Sequence, residues 1–268
     1  GYTKEYTGVY RVEILSPNYT FSFASDGLLD NGYINWGDGT ITQNEYSHTY
    51  VNAGVYIIKG KVHSTYQTAT DSMKLCLKEI LQYPIYGNLS HAFMDCTALI
   101  SANISGNKYH HITRGRTSVF SNCTNLERVI ALDTKLEKEF IHISAFQGCK
   151  KLREIIGIED FIYNTGNLMG CFSSCSSLPN FTLSEDALKN CTSLYQAFYG
   201  CESLTESPIK TFVSNSGSLS IGRMFVGCTN LTDISNVTFG KNITSADNWF
   251  PPNLITANNI KINCASLS

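Results

Sequence analysis

Gln196-Ala197-Phe198-Tyr199-Gly200-Cys201-Glu202-Ser203-Leu204 is the stretch that decides the fold of this chain. It contains the pattern Phe-x-x-Cys-x-x-Leu, which occurs six times, with successive phenylalanines 27, 26, 26, 26 and 27 residues apart. A fixed period of this length predicts a solenoid, in which each repeat forms one coil and buries its apolar side against the next coil. The six copies are Phe93/Cys96/Leu99, Phe120/Cys123/Leu126, Phe146/Cys149/Leu152, Phe172/Cys175/Leu178, Phe198/Cys201/Leu204 and Phe225/Cys228/Leu231.

Each repeat has two parts with different apolar spacing. The residue before the phenylalanine is small or apolar, and an apolar residue often lies four positions before it, as Leu89 does before Phe93. This spacing predicts one or two helical turns that lead into the phenylalanine. Beyond the leucine, apolar residues return at Ile155 and Ile158 in one repeat, and this stretch is predicted to form a short strand. One unit is therefore expected to contain a helical turn, a bend and a strand.

His91-Ala92-Phe93-Met94-Asp95-Cys96-Thr97-Ala98-Leu99 shows the repeat in its fullest form, Ala-Phe-x-x-Cys-x-x-Leu. The motif resembles the BspA-type leucine-rich repeat of bacterial surface proteins, and the resemblance covers about residues 77–260. It implies a bacterial protein that is secreted or displayed at the cell surface. The last unit is degenerate, since Trp249-Phe250 is followed by Pro251-Pro252-Asn253 instead of a cysteine segment. Terminal repeats are atypical because they cap the core.

The first 76 residues lack the repeat and alternate like strands. Tyr19, Phe21 and Phe23 are separated by polar residues, and Gly-Asp-Gly at 37–39 is strong turn chemistry. Trp36-Gly37-Asp38-Gly39-Thr40, followed by His48-Thr49-Tyr50 and Gly54-Val55-Tyr56, resembles the PKD-type β-sandwich. This resemblance covers about residues 8–75 and implies an extracellular spacer domain.

The expected architecture is therefore multi-domain. An all-β immunoglobulin-like or PKD-like sandwich spans residues 1–76, and a leucine-rich-repeat solenoid of short parallel strands and short helical turns spans 77–268, with a degenerate C-terminal cap. Leu77 and Ile80 already fit the spacing found after each cysteine. The first solenoid strand is thus expected to continue almost directly from the sandwich through a rigid junction.

Composition excludes several classes of protein. The formal net charge is −2 and there is no basic cluster, which argues against a nucleic-acid partner. No apolar run is long enough to form a transmembrane segment. The chain begins with Gly1, which is consistent with removal of a leader from an exported protein. The expected location is extracellular or at the cell surface, with the signal or anchor outside this sequence, and a monomer is favoured.

The ten cysteines admit three interpretations. Six occupy the same repeat position, where parallel stacking would point the side chains the same way, so the first interpretation is a column of buried free thiols. Disulfides and a metal site are the alternatives. Cys76, Cys171, Cys191 and Cys264 lie outside the column, and the sequence leaves open whether they form disulfides. Cys191 belongs to a shifted copy of the motif.

No catalytic signature is present, and we expect neither an enzyme nor a bound cofactor or metal. The chain lacks the glycine fingerprints, phosphate loops and hydrolase motifs that carry known chemistries. A cysteine-dependent hydrolase stays open only as the third hypothesis. Five residues have side chains that could bind a metal, but their spacing does not match a metal-binding motif. They are His110, His111, Asp26, Asp30 and Asp38.

Two functions remain. The first is adhesion to, or recognition of, a host protein, matrix component or glycan through the strand face of the solenoid. The second is a structural stalk or spacer module of a larger surface protein, including one from a phage or a protist, since related repeats also occur there. Clustered aromatic side chains would favour recognition, and the tyrosines to examine are Tyr109, Tyr163, Tyr195 and Tyr199. The candidate strand-face residues are Glu127, Arg128, Arg153, Glu154, Asn180, Glu206 and Asp233.

Overall fold

The computed structural model describes the chain except for residues 1–6, 25–31, 63–67, 109–115, 136–139, 213–216, 241–242, 257, 259–260 and 263–268. The N-terminal strands are β1 Gly8–Ile14, β2 Tyr19–Ser22, β3 Tyr33–Asn35, β4 Ile41–Gln43, β5 Ser47–Tyr50 and β6 Gly54–Gly60. The solenoid strands are β7 Leu77–Gln82, β8 Ser101–Asn103, β9 Arg128–Ile130, β10 Phe140–Ile141, β11 Glu154–Ile156, β12 Thr165–Asn167, β13 Thr211–Phe212, β14 Leu219–Ser220, β15 Thr238–Phe239, β16 Ile243–Ser245 and β17 Lys261–Ile262. The helices are α1 Asp71–Cys76, α2 Ile158–Phe161 and α3 Glu185–Leu188. Among the described helices, none is long and apolar enough to cross a membrane.

The N-terminal strands pair in antiparallel fashion around an aromatic core. β1 pairs with β6, β3 pairs with both β6 and β4, and β2 pairs with β5. Phe21 and Phe23 are buried as their alternation predicts, and Trp36 is fully buried beside Phe23. The Tyr50 hydroxyl donates to the Trp36 carbonyl at 2.8 Å, so the polar atom of this buried ring is satisfied.

The Gly37-Asp38-Gly39 turn is fixed by a close backbone approach. Gly37 has φ of 87°, and a Cβ atom there would lie 2.6 Å from the Ile57 carbonyl oxygen, so only glycine fits. The Asp38 carboxylate accepts from the Thr40 N–H at 2.9 Å and lies 2.7 Å from His48 Nε2. Burial opposes ionisation of Asp38, but the hydrogen bonds from His48 and Thr40 outweigh it and lower its pKa. Asp38 therefore orders its own turn.

One continuous sheet joins the N-terminal strands to the solenoid. Its order is β11-β9-β8-β7-β1-β6-β3-β4, with β7 antiparallel to β1 and parallel to β8. The expected direct passage into the solenoid therefore holds at β7. The short helix α1, which the sequence pattern does not predict, precedes that strand and is capped by the Thr70 hydroxyl.

The N-terminal part of the solenoid contributes four short parallel strands, β7, β8, β9 and β11, to the continuous sheet. Ile80, Ala102, Val129 and Ile155 stand in register across β7, β8, β9 and β11. At the same repeat position, later coils are joined by isolated β-bridges instead of strands, as between Glu206 and Asp233. The strands thus start two residues after the repeat leucine and are shorter than predicted.

The strand that was expected to include Ile158 ends before it. Ile158 begins α2 instead of lying in a strand, because Gly157 turns the chain with φ of 81° against the backbone of Ala131. Leu132, at the corresponding place one coil earlier, lies outside β9 and is 49% exposed. Helices are few among the described residues: α1 precedes the first solenoid strand, and α2 and α3 connect successive coils.

The helical turn predicted before each phenylalanine is also wrong, and the backbone explains why. The residues two before and two after each phenylalanine have φ between 49° and 79°, in the left-handed region. An α-helix cannot contain such residues, so each segment is a series of tight turns, as when the Cys96 N–H donates to the Phe93 carbonyl at 3.1 Å. The left-handed positions are His91, Asp95, Ser118, Asn122, Ser144, Gly148, Gly170, Ser174, Gln196, Gly200, Arg223 and Gly227.

These turns let each coil bond to the next through three backbone rungs. In the first five coils the N–H of the phenylalanine, and those two residues before and after it, donate to carbonyls of the following coil at 2.6–3.2 Å. Phe146, for example, donates to Cys171 at 2.8 Å. We call these three N–H groups the forward rungs, and we number the coils 1–6 by their phenylalanines.

Candidate functional site

The repeat phenylalanines lie in one buried column. Neighbouring ring centroids are 5.6–5.8 Å apart and the ring planes lie within 20° of each other from Phe93 to Phe225. Each ring is at most 2% exposed. Tyr83 meets the first ring at 5.4 Å, and Phe161 and Phe181 pack beside the middle of the column. The column is therefore a closely packed interior.

The repeat cysteines form a second buried column with a bonding role that the sequence did not show. The Cys149 thiol donates to the Phe120 carbonyl of the preceding coil at 3.0 Å, and the same carbonyl accepts from the Cys123 N–H. The equivalent thiol bonds in coils 2, 4, 5 and 6 measure 2.9–3.0 Å. Burial raises the pKa of Cys149 well above its ordinary value, so this thiol is protonated and unreactive.

The repeat leucines complete the interior. They are at most 4% exposed, with Leu178 the most accessible. Phenylalanine, cysteine and leucine of each coil therefore all point inward, and this arrangement makes stacking the main source of stability. The leucines are Leu99, Leu126, Leu152, Leu178, Leu204 and Leu231.

The outward side of the strands carries a row of polar residues that we call the strand-face column. Six members lie two positions after a repeat leucine, and Glu79 and Thr256 lie two positions after Leu77 and Leu254. Strand register or a β-bridge aligns most of them. Arg128 and Glu154 form an ion pair of 2.6 Å inside it, and Arg11 pairs with Glu79 at 3.3 Å. The column consists of Glu79, Ser101, Arg128, Glu154, Asn180, Glu206, Asp233 and Thr256.

The structure places the seven candidate strand-face residues in two neighbouring rows. Five belong to the strand-face column, and Asn180 joins it by accepting from the Thr205 N–H at 2.8 Å. Glu127 and Arg153 lie one position earlier in their coils, and both are exposed. Asp233 is half-buried, and hydrogen bonds from Ser235 lower its pKa. The seven side chains therefore lie in two aligned rows, six of them exposed and Asp233 half-buried, and their part in binding stays a prediction.

A second surface feature lies where coil 6 meets the degenerate unit. This C-terminal cleft has a volume of about 750 Å³. Phe250 is 54% exposed at the cleft, whereas Trp249 is 7% exposed and packs against Phe239 at 4.9 Å. The lining residues are Tyr199, Arg223, Val226, Gly227, Ala246, Asn248, Trp249, Phe250, Pro251 and Pro252.

Comparison with known families agrees with this geometry. The model of the BspA type leucine rich repeat region matches residues 85–168 and 139–266, which together cover more than half of the chain. This chain belongs to the BspA-type leucine-rich-repeat family. Proteins of this family are typically surface-associated or secreted, and the family is generally non-enzymatic. The chain has no significant match among curated proteins or solved structures.

The cysteines outside the column of this BspA-type protein are also buried. Cys171 fills the small-residue position before Phe172, and burial raises its pKa. Cys191, the member of the shifted motif, donates to the Ser193 carbonyl at 3.3 Å. Cys76 ends α1 and is buried. All nine cysteines among the described residues are free thiols, and Cys264 lies outside those residues.

A buried polar pair replaces two apolar residues of the repeat. Arg116 and His142 occupy the position four before the phenylalanine in coils 2 and 3, and they are at most 2% exposed. The Arg116 guanidinium donates to the Phe161 and Thr134 carbonyls at 2.8 and 2.9 Å. Burial lowers the pKa of Arg116 to about 9. Burial and the nearby Arg116 charge lower the pKa of His142 well below its ordinary value. The pair is a packing solution, visible in sequence only as an exception to the apolar rule.

Most of the remaining candidates cannot be placed in the fold. His110, His111, Asp26, Asp30 and Tyr109 lie outside the described residues. Within the described ranges no group of three or more histidine, cysteine or acidic side chains has metal-binding geometry.

The three described tyrosines differ in their surroundings. The centroid of the Tyr163 ring lies 5.2 Å from Lys135 Nζ and 5.5 Å from Lys189 Nζ, whereas Tyr199 lines the C-terminal cleft. Tyr195 is half-buried, and its carbonyl accepts the Gly170 forward rung.

Proposed function

We propose that this BspA-type protein is a non-enzymatic bacterial recognition protein that binds a host protein, matrix component or glycan. The observation that supports it is the strand-face column, in which polar and charged side chains from successive coils form one accessible row. Solenoids typically bind through such extended surfaces, because neighbouring repeats present side chains at regular spacing. The eighteen Phe, Cys and Leu side chains then act only as the interior support of that surface.

The domain assignment extends this proposal. Residues 1–76 form a PKD-like spacer domain and residues 77–268 form the solenoid, with the protein located outside the cell or at its surface. Support for the spacer comes from two antiparallel β ladders, β1–β6 and β2–β5, around Trp36 and from the Gly37 turn. The sheet shared by β1 and β7 would hold the recognition surface at a fixed angle to the spacer.

A second candidate function, a structural stalk, has its own supporting observation. Charges on the strand face neutralise each other, between coils in the Arg128–Glu154 pair and between β1 and the first solenoid strand in the Arg11–Glu79 pair. A face whose charges are already paired has less to offer a charged ligand, and a continuous sheet suits a rigid stalk.

Array binding with paired variants separates the two functions. The protein is tested on arrays of matrix proteins and glycans, beside a variant that lacks the Arg128–Glu154 pair through two alanine substitutions. The control removes the Lys108–Asp133 pair of 2.8 Å, which also bridges coils but lies off the column. Exposed pairs of this kind contribute about 0.2–1 kcal/mol, so both variants should stay folded. Recognition predicts array binding that only the first variant weakens; absence of any ligand, or equal loss in both variants, would favour the stalk.

A further inference from the structure

The strand-face column is part of a wider surface, the outward face of the eight-stranded sheet. Residues paired directly across neighbouring strands point to the same face of a sheet. One row of such pairs consists of Arg128, Ser101, Glu79, Arg11 and Ile57. Because neighbouring strands lie about 4.8 Å apart, Ile57 of β6 is only about 10 Å from Glu79 on this face. The outward face therefore runs from the solenoid onto β1 and β6 without a break.

Two adjoining hollows lie on the outward face among the N-terminal strands. The first has a volume of about 240 Å³, and the second, beside the Gly37 turn, has a volume of about 430 Å³. Asn35 and Lys59 line both hollows and are paired across β3 and β6. Tyr33 and Ile41, which line the first hollow, are 41% and 61% exposed, and Asn35 and Lys59 are exposed as well. We call the two hollows the N-terminal cleft, and a ligand can reach all four of these side chains.

Lys59 brings a positive charge to the cleft that no described side chain neutralises. It forms no ion pair with the described residues, and none of the described residues that line the cleft is acidic. Arg11, on the neighbouring strand β1, is already paired with Glu79 at 3.3 Å. The Asp38 carboxylate lies outside the lining and is bonded to His48 at 2.7 Å. An anionic group of a ligand is therefore the missing counter-charge for Lys59.

The chemistry of the cleft fits a sugar chain better than a peptide. Both β3 and β6 are paired with a strand on each side, so their backbone groups have no bonds to offer a peptide lying on the sheet face. The cleft offers side chains instead. The Asn35 amide oxygen accepts from the Gly37 N–H at 2.9 Å, which orients the amide and leaves its NH₂ group to donate to a ligand. The Tyr33 ring is an apolar platform of the kind on which the C–H face of a sugar ring packs.

We propose that the N-terminal cleft binds an acidic glycan, with one sugar in each hollow. Lys59, at the boundary of the two hollows, would bond to the acidic group, while Asn35 donates to a hydroxyl and Tyr33 packs on the ring in the first hollow. This inference rests on the proposed recognition function and gives it a class of ligand. It uses a different part of the outward face from the strand-face column, so the two can fail separately.

Calorimetric titration of the full chain measures the affinity. The acidic probes are oligosaccharides of hyaluronan, which carries carboxylates, and of chondroitin sulfate, which carries carboxylates and sulfates. A chitin oligosaccharide of equal length is the neutral control, and a glutamate peptide is the control for an acidic peptide. Amide chemical shifts in NMR locate the contact, which should perturb Tyr33, Asn35 and Lys59.

Lys59→Gln and Lys151→Gln are matched variants, since each removes one exposed positive charge that has no ion-pair partner among the described residues. Lys151 lies in coil 3, far along the chain from the cleft. Lys59→Gln should weaken binding of an acidic oligosaccharide at least about tenfold, as expected for losing one charge-assisted hydrogen bond, and Lys151→Gln should leave it unchanged.

Tyr33→Ala and Tyr33→Phe test the aromatic platform. Tyr33→Ala should weaken binding about threefold to tenfold, whereas Tyr33→Phe keeps the ring and should retain the affinity. Tyr33 and Lys59 are both exposed, so these variants should stay folded.

Each outcome bears on the proposal. Binding of an acidic oligosaccharide that shifts the cleft amides, and that Lys59→Gln and Tyr33→Ala weaken, supports it. No binding of either acidic probe, equal binding of the chitin oligosaccharide, or binding that the cleft variants leave unchanged overturns it. Equal or tighter binding of the glutamate peptide overturns it in favour of an acidic peptide. Array binding that is lost with the Arg128–Glu154 pair but survives Lys59→Gln leaves the strand-face function intact while the cleft proposal fails.

Discussion

Replacing Phe146 with alanine should destabilise the protein by about 3–5 kcal/mol, the range found when large buried aromatic side chains are truncated. The ring is fully buried, with stacked neighbours on both sides at 5.6 Å and Phe161 at 5.3 Å. The neighbouring coils are held apart by the backbone rungs, including the 2.8 Å bond from Phe146 to Cys171, so they cannot close the cavity. The loss should therefore lie in the upper half of that range.

Equilibrium unfolding in guanidinium gives the measurement. Trp36 reports on the N-terminal core and Trp249 on the degenerate unit, so single-tryptophan variants follow the two ends separately. Because each coil contacts only its neighbours, weakening coil 3 with Phe146→Ala should make the unfolding transitions reported by Trp36 and Trp249 occur at different guanidinium concentrations. Phe250→Ala, at an exposed ring, should change stability by no more than about 0.5 kcal/mol. If Phe146→Ala kept the wild-type midpoint and slope, the stacked column would not be the main source of stability.

Three further outcomes are expected. The nine described cysteines should resist iodoacetamide in the native protein and all react after unfolding, as mass spectrometry can show; rapid native labelling of Cys149 would contradict its raised pKa. Because the folded pKa of His142 is lowered, unfolded chains bind more protons and stability should fall as the pH drops below about 6.5, an effect that His142→Leu should reduce in unfolding titrations. Gly37→Ala should cost about 1–3 kcal/mol from backbone strain alone, and unaltered thermal unfolding would show that the turn can relax.

The inward side chains could be predicted from the sequence because burial leaves a direct signal. Each coil must present the same apolar shape to the next, so phenylalanine and leucine return at a fixed interval, and Phe146 and Leu152 lie where that interval places them. The strand-face column follows from the same register, since its members are counted from each leucine.

Backbone conformation left a weaker signal. Spacing alone suggested helix before each phenylalanine, whereas left-handed residues at both ends make consecutive turns. The position two after phenylalanine is glycine, asparagine or aspartate in five coils, as at Asn122 and Gly148, and these residues tolerate that conformation best. The position two before the phenylalanine, as at Arg223, shows no such residue preference, so the sequence does not reveal the left-handed conformation there.

The C-terminal cleft could not be predicted because it arises from bonds that are not made. Proline at 251 and 252 signals that the repeat ends, but only the structure shows that Arg223 still donates to Asp247 while the N–H groups of Phe225 and Gly227 have no partner among the described residues. The Arg116–His142 pair is similar, since Arg116 donates to backbone carbonyls, which carry no sequence signature, and His142 bonds to the Thr165 hydroxyl of the next coil.

Residue-specific amide exchange by NMR examines the backbone ladder that joins the coils of the solenoid. The amides of Phe198 and Gly200 should exchange slowly, near the rate of global unfolding, because each donates to coil 6. The Gly227 amide, at the same coil position as Gly200 one repeat later, has no partner among the described residues and should exchange much faster. Equal protection at Gly200 and Gly227 would contradict a missing last rung, and fast exchange at Phe198 and Gly200 would contradict the stacked solenoid.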